Sequence, residues 1–175
     1  VLYEGYLLYP YRASSSKNQS RWQFGVLGPS GAADACIGED SALSAQMLVA
    51  SSGQPSVYGV VRFLQLQHRD ATATQKWLSW DEAVECEIPV GPIPLASLPV
   101  TLDISVPAGT DVQVVDDGTL VRSRRELHGR LDISAEQDGD LVRLTFAVSN
   151  TAPPAADKDE AIAVSMIGTH LLIEV

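Results

Sequence analysis

Apolar and polar residues alternate most regularly over residues 129–150, GRLDISAEQDGDLVRLTFAVSN, and that alternation predicts two antiparallel strands. Asp138-Gly139 lies between them, a preferred pair for a two-residue hairpin loop. Such a loop sets Gln137 opposite Asp140, Ala135 opposite Val142, Ile133 opposite Leu144 and Leu131 opposite Phe146. The apolar residues then share one face, while Arg130, Asp132, Ser134, Arg143 and Thr145 share the other. A slip of one residue would bury the charges, so loop and pattern specify the same pairing.

The rest of the chain reads in the same way. Residues 1–11, VLYEGYLLYPY, predict a strand that Pro10 ends or confines to an edge. Residues 22–27, WQFGVL, predict a second, and residues 31–42 a small, acidic loop. Residues 45–51 and 56–67 are the next strands, and SVYGVVRFLQLQ is apolar enough to lie centrally in a sheet. From Trp80 the even positions Trp80, Val84, Cys86, Ile88 and Val90 are apolar, and Asp81, Glu85 and Glu87 point away. That strand is expected to stop at the Gly/Pro stretch 91–99. Val100, Leu102, Ile104 and Val106 alternate again, and Asp117-Gly118 predicts a shorter hairpin between 112–115 and 120–121. Residues 151–160 read as an exposed loop; 161–175 open with a helical turn or two and finish as a strand. Short strands, Gly/Pro turns and little helix predict an all-β antiparallel sandwich, with residues 1–175 as one domain.

Charge narrows the function. A net charge of −10 argues against a nucleic-acid binder, which needs a cationic face. No apolar run approaches the ~20 residues that span a bilayer, so no membrane insertion is expected. The first residue is Val1 rather than Met, and HLLIEV stops inside a strand-like run, so the chain is expected to be the N-terminal part of a longer protein. Cys36 and Cys86 allow one disulfide but no framework, and reduced thiols in a cytoplasmic setting are expected.

Candidate chemistry is sparse. There is no CxxC, HxxxH or HExxH, so no metal and no cofactor are expected. Cys86 falls on the apolar side of its strand, where a buried, inert thiol is expected. His68, His128 and His170 are scattered, and no GxSxG elbow supports a Ser-His-Asp site. Arg122, Arg124 and Arg125 form a basic cluster that either docks an acidic segment or guards an edge strand. The richest surface candidate is N-terminal: Tyr9, Tyr11 and Trp22 beside Arg12, Lys17 and Arg21. Aromatic residues and arginine are favoured at interface hot spots.

The stretch LYEGYLLYPYRASSSKNQSRWQFGVLGP, residues 2–29, resembles the opening of uncharacterised bacterial proteins encoded beside nickel-iron hydrogenase genes and their maturation factors. Similar stretches follow in order at VRFLQLQHR, GRLDISAE, LVRLTFAVSNTAP and SMIGTHLLIEV, while residues 31–50 fit less well. The resemblance implies a cytoplasmic accessory protein for hydrogenase assembly or function, with hydrogenase subunits or maturation factors as protein partners. It implies no catalytic motif. The expectation is therefore a non-enzymatic interaction module that binds through Tyr9, Tyr11, Arg12, Lys17, Arg21 and Trp22. Two alternatives stand beside it: a hydrolase or metal-dependent enzyme completed by residues beyond Val175, and a carbohydrate-binding sandwich.

Overall fold

The alternating segments become nine strands in two antiparallel sheets in the computed structural model, which describes residues 25–50, 53–72, 74 and 76–175. The expected strand over 1–11 lies outside the described residues, and so do residues 22–24 of the one over 22–27. One sheet orders its strands β1 (Ala42–Ala50), β8 (Leu141–Asn150), β7 (Leu127–Asp138) and β4 (Val100–Val106). The other orders β3 (Trp80–Pro94), β2 (Ser56–Thr72), β6 (Gly118–Arg124) and β5 (Gly109–Val115), and β9 (Ile167–Glu174) also pairs with β2. A single short helix among the described residues, α1 (Lys158–Ala163), precedes β9. The architecture is an all-β sandwich.

The core lies where the inward faces of the two sheets meet. Leu127, Leu131 and Ile133 of β7 and Leu144, Phe146 and Val148 of β8 are buried against Val57, Val61 and Phe63 of β2. Fully burying a side chain of this kind stabilises by about 1.5–3 kcal/mol. The polar residues of the β7–β8 hairpin stay on the opposite face. Cys86 and Ile88 pack against the core only partly buried, and desolvation pushes the Cys86 thiol pKa up against the opposing charge of Arg124. Both cysteines are free; Cys36 is exposed.

Both hairpin registers differ from expectation by a shift of one residue in the loop. Asp138 pairs with Leu141, Gln137 with Val142, Ala135 with Leu144 and Leu131 with Val148, so the loop is Gly139-Asp140. Gly139 has φ +62°, suited to a turn that needs glycine in its first central position. Moving the loop by one residue moves the register by two, which leaves every side chain on its expected face. The alternation is therefore blind to the difference. Likewise Val115 pairs with Gly118 around Asp116-Asp117.

β2 is central, as its apolar run predicts: β3 lines one side, and β9 and β6 share the other. β3 runs on through the expected Gly/Pro stop to Pro94, and a 3-10 turn, Leu95–Ser97, follows. The arginine cluster guards no edge, because β6 lies between β2 and β5. Instead Arg125 holds Glu160 of α1 at 2.9 Å. Asp157 caps α1 by accepting from Glu160 N, and the Glu160 carboxylate accepts from Ala156 N. Buried Asn150 fastens the end of β8 to the rest, donating to Leu27 O and Val164 O and accepting from Ala152 N.

Candidate functional site

β2 and β3 are the longest strands, and β2 outruns the core: no residue of it beyond Gln65 is buried. Cross-strand pairing puts Gln67 beside Glu82, and Arg69 beside Trp80 and Arg122, so these residues share one face. Where the core ends, that face turns from apolar to ionic. Glu82 Oε1 accepts from Arg69 Nη1, and Oε2 accepts from Gln67 Nε2 at 3.2 Å and Arg122 Nε at 3.1 Å. Arg122 also donates to Gln113 on β5. Burial raises the Glu82 pKa, but the hydrogen bonds from Gln67 and Arg122 and the two guanidinium charges outweigh it and hold the pKa low.

Arg69 is the hinge pin of this face. Its Nε and Nη2 donate to Leu78 O at 3.3 and 3.2 Å, and its guanidinium lies 5.4 Å from the Trp77 ring centroid. Thr74 Oγ1 accepts from the N–H groups of Lys76 and Trp77, and Ser79 Oγ accepts from Ala71 N. The described residues of the connection between β2 and β3 thus carry several hydrogen bonds, yet large apolar side chains there and at the start of β3 face water: Leu78 is 74% and Trp80 65% exposed. Large apolar groups exposed side by side in this way make the end of the sheet a candidate contact surface.

The opposite face of the same sheet carries the second cluster. His68 Nδ1 lies 2.7 Å from Asp81 Oδ1, and Nε2 lies 3.5 Å from Asp70 Oδ1. The Asp81 hydrogen bond is the main reason the His68 pKa is raised; desolvation opposes it, and the two aspartate charges add to it. A groove of about 460 Å³ runs from here past Arg125 to Asp159 and Ile162 of α1. Ser123 is the cross-strand neighbour of His68, so Asp81, His68 and Ser123 stand in one row across three strands. The row does not make the serine–histidine hydrogen bond a nucleophile needs, because Nε2 faces the Asp70 carboxylate instead.

The sequence-derived binding residues Tyr9, Tyr11, Arg12, Lys17, Arg21 and Trp22 all lie outside the described residues. Trp80 was expected on the apolar side of β3 and is there in register, but the core has ended before it. Trp77 and Leu78 escape the alternation pattern because they sit in the connection; the cluster KWLSW after a polar run was the available signal. Among the described residues no group of three or more His, Cys, Asp or Glu is placed to hold a metal ion. Among them, too, no helix is long and apolar enough to cross a membrane. Compared with protein-family models, curated proteins and solved structures, the chain matches none.

Proposed function

We propose that the protein is a non-enzymatic interaction module that docks a protein partner on the tip joining β2 and β3. The observation that carries this reading is the exposure of Leu78 and Trp80 on a backbone pinned by Arg69. Ordering a contact surface on binding costs conformational entropy, and holding the Leu78 carbonyl through Arg69 in advance reduces that cost. The resemblance of the N-terminal stretch makes nickel-iron hydrogenase subunits and maturation factors the partners to test first, in a cytoplasmic accessory role. The N-terminal residues Tyr9, Tyr11, Arg12, Lys17, Arg21 and Trp22 remain the second proposed contact surface.

The test is a tagged full-length pull-down from native cells, read by mass spectrometry, with wild type beside Leu78→Ser/Trp80→Ser. Recovery of hydrogenase subunits or maturation factors by wild type and their loss with the double variant is the expected result. Their reproducible absence from the wild-type sample would remove the hydrogenase assignment. A partner retained equally by the variant would remove the tip.

A further inference from the structure

β1 ends the four-stranded sheet and, among the described residues, pairs with β8 alone. Asp138 and Leu141 close the two-residue loop between β7 and β8, which makes them a hydrogen-bonded pair. Hydrogen-bonded and non-hydrogen-bonded pairs alternate along an antiparallel ladder. The even-numbered residues of β8 therefore bond to β1, and the bond from Asn150 N to Ser41 O has the same phase. Their partners are the odd-numbered residues of β1, so Ala42, Ser44, Gln46, Leu48 and Ala50 turn their N–H and C=O groups outward. Sheet edges are commonly blunted by charge, proline or a bulge. β1, ALSAQMLVA, has no charged residue and no proline, and its register with β8 is unbroken. The other strands at the sheet margins all carry carboxylates: Glu85 and Glu87 on β3, Asp103 on β4, Asp111 on β5 and Glu174 on β9.

An edge without charge fits a second copy of this chain. Each copy has a net charge of −10, so contact between two copies is opposed wherever it brings carboxylates together, and β1 is the margin where it does not. Full antiparallel overlap of two β1 strands centres on Gln46. Gln46 then meets the partner's Gln46, Ser44 meets the partner's Leu48, and Ala42 meets the partner's Ala50. All of these positions offer their N–H and C=O groups outward, so this register completes the ladder. On the inner face Leu43, Met47 and Val49 pack on the core but stay only partly buried. The same overlap extends their rows with apolar side chains. Leu144 and Met47 are followed by the partner's Ala45 and the partner's Phe146; Val142 and Val49 are followed by the partner's Leu43 and the partner's Val148. The two Asp40 residues, the nearest carboxylates to β1 along the chain, fall at opposite ends of the paired strands.

We propose that β1 pairs with β1 of a second copy about a two-fold axis at Gln46, joining two four-stranded sheets into one continuous sheet. Main-chain hydrogen bonds and the apolar rows hold the interface, while the net charge of each copy opposes association. Added salt screens that repulsion and leaves the strand pairing in place, so the dimer tightens as ionic strength rises. The proposal goes beyond the docking of a partner on the β2–β3 connection and does not depend on it.

The test is sedimentation equilibrium of the full chain over a range of concentrations, at low and at high salt. A concentration-dependent dimer that tightens with salt is expected. Gln46→Glu and Gln46→Lys each set two like charges against each other at the axis, and each should weaken self-association by at least about tenfold. An equimolar mixture of the two variants should restore it, because a carboxylate then faces an ammonium group. Gln46 is exposed, so both variants should keep the wild-type thermal midpoint. The Leu78→Ser/Trp80→Ser variant should dimerise as wild type does. A monomer at every concentration and salt would overturn the proposal and leave this edge to residues before Gly25 or to another protein. Unchanged dimerisation of either Gln46 variant, or no recovery in the mixture, would overturn it as well. A dimer lost in Leu78→Ser/Trp80→Ser would also overturn it, by moving the self-contact to the β2–β3 connection.

Discussion

Arg69 lies over the Trp77 ring at 5.4 Å while two of its nitrogens hold the Leu78 carbonyl and a third holds Glu82. One side chain thereby joins the outer end of β2 to the backbone of the connecting loop and to β3. Replacing Arg69 with Ala should cost about 1–2 kcal/mol, since charge-assisted hydrogen bonds at a partly exposed site are lost. Lysine should not restore it, because a point charge cannot serve both acceptors and stack on the ring. Urea unfolding gives the stability change, and tryptophan anisotropy should show a looser Trp77 in both variants.

Glu82 joins Arg69 and Arg122, so its titration links pH to the order of this face. Its folded pKa is lowered from 4.5, so the stability it contributes is present above pH 4.5 and lost as pH falls through the folded value. Glu82→Gln should be less stable than wild type at pH 7, with the difference shrinking in the acid range below 4.5. Thermal midpoints of both proteins across pH 3–7 check this.

His68 works in the opposite sense. Its folded pKa is raised from 6.5, so its contribution is complete below pH 6.5 and disappears as pH rises through the folded value. With the side chain about half exposed, the effect should stay below about 1 kcal/mol. His68→Asn should show a flatter stability profile above pH 6.5, and an NMR titration of the ring should place the midpoint above 6.5.

In the core, a Cβ on Gly129 would come within 2.1 Å of Met166 Cε and 2.8 Å of Ser149 O. Gly129→Ala should therefore destabilise by about 1–3 kcal/mol through overpacking, measured by urea unfolding. Asn150→Ala should cost roughly 2–4 kcal/mol, because Leu27 O, Val164 O and Ala152 N lose their buried partner.

Much of this architecture is legible in the sequence, because burial on one face imposes a period of two. Leu131, Ile133, Leu144 and Phe146 point inward as their spacing requires, and SVYGVVRFLQLQ lies centrally because only a strand covered by neighbours tolerates so few polar residues. The hairpin registers were not legible: Asp138-Gly139 and Gly139-Asp140 give the same faces, and periodicity cannot choose between them. The tip was not legible for a different reason. Trp80 continues the apolar alternation of β3, and nothing in the alternation marks where the facing sheet stops covering it. Its exposure is set by strand length against core length, a tertiary quantity. The Asp81–His68–Ser123 row likewise depends on pairings between segments 13 and 55 residues apart, which only the folded sheets supply.

The most direct measurement is the affinity of the full-length protein for a partner recovered by pull-down, compared between wild type and Leu78→Ser/Trp80→Ser. Both positions are exposed, so the variant should match wild type in thermal midpoint and bind at least about tenfold more weakly. A folded variant that binds with wild-type affinity would contradict the tip as the docking surface.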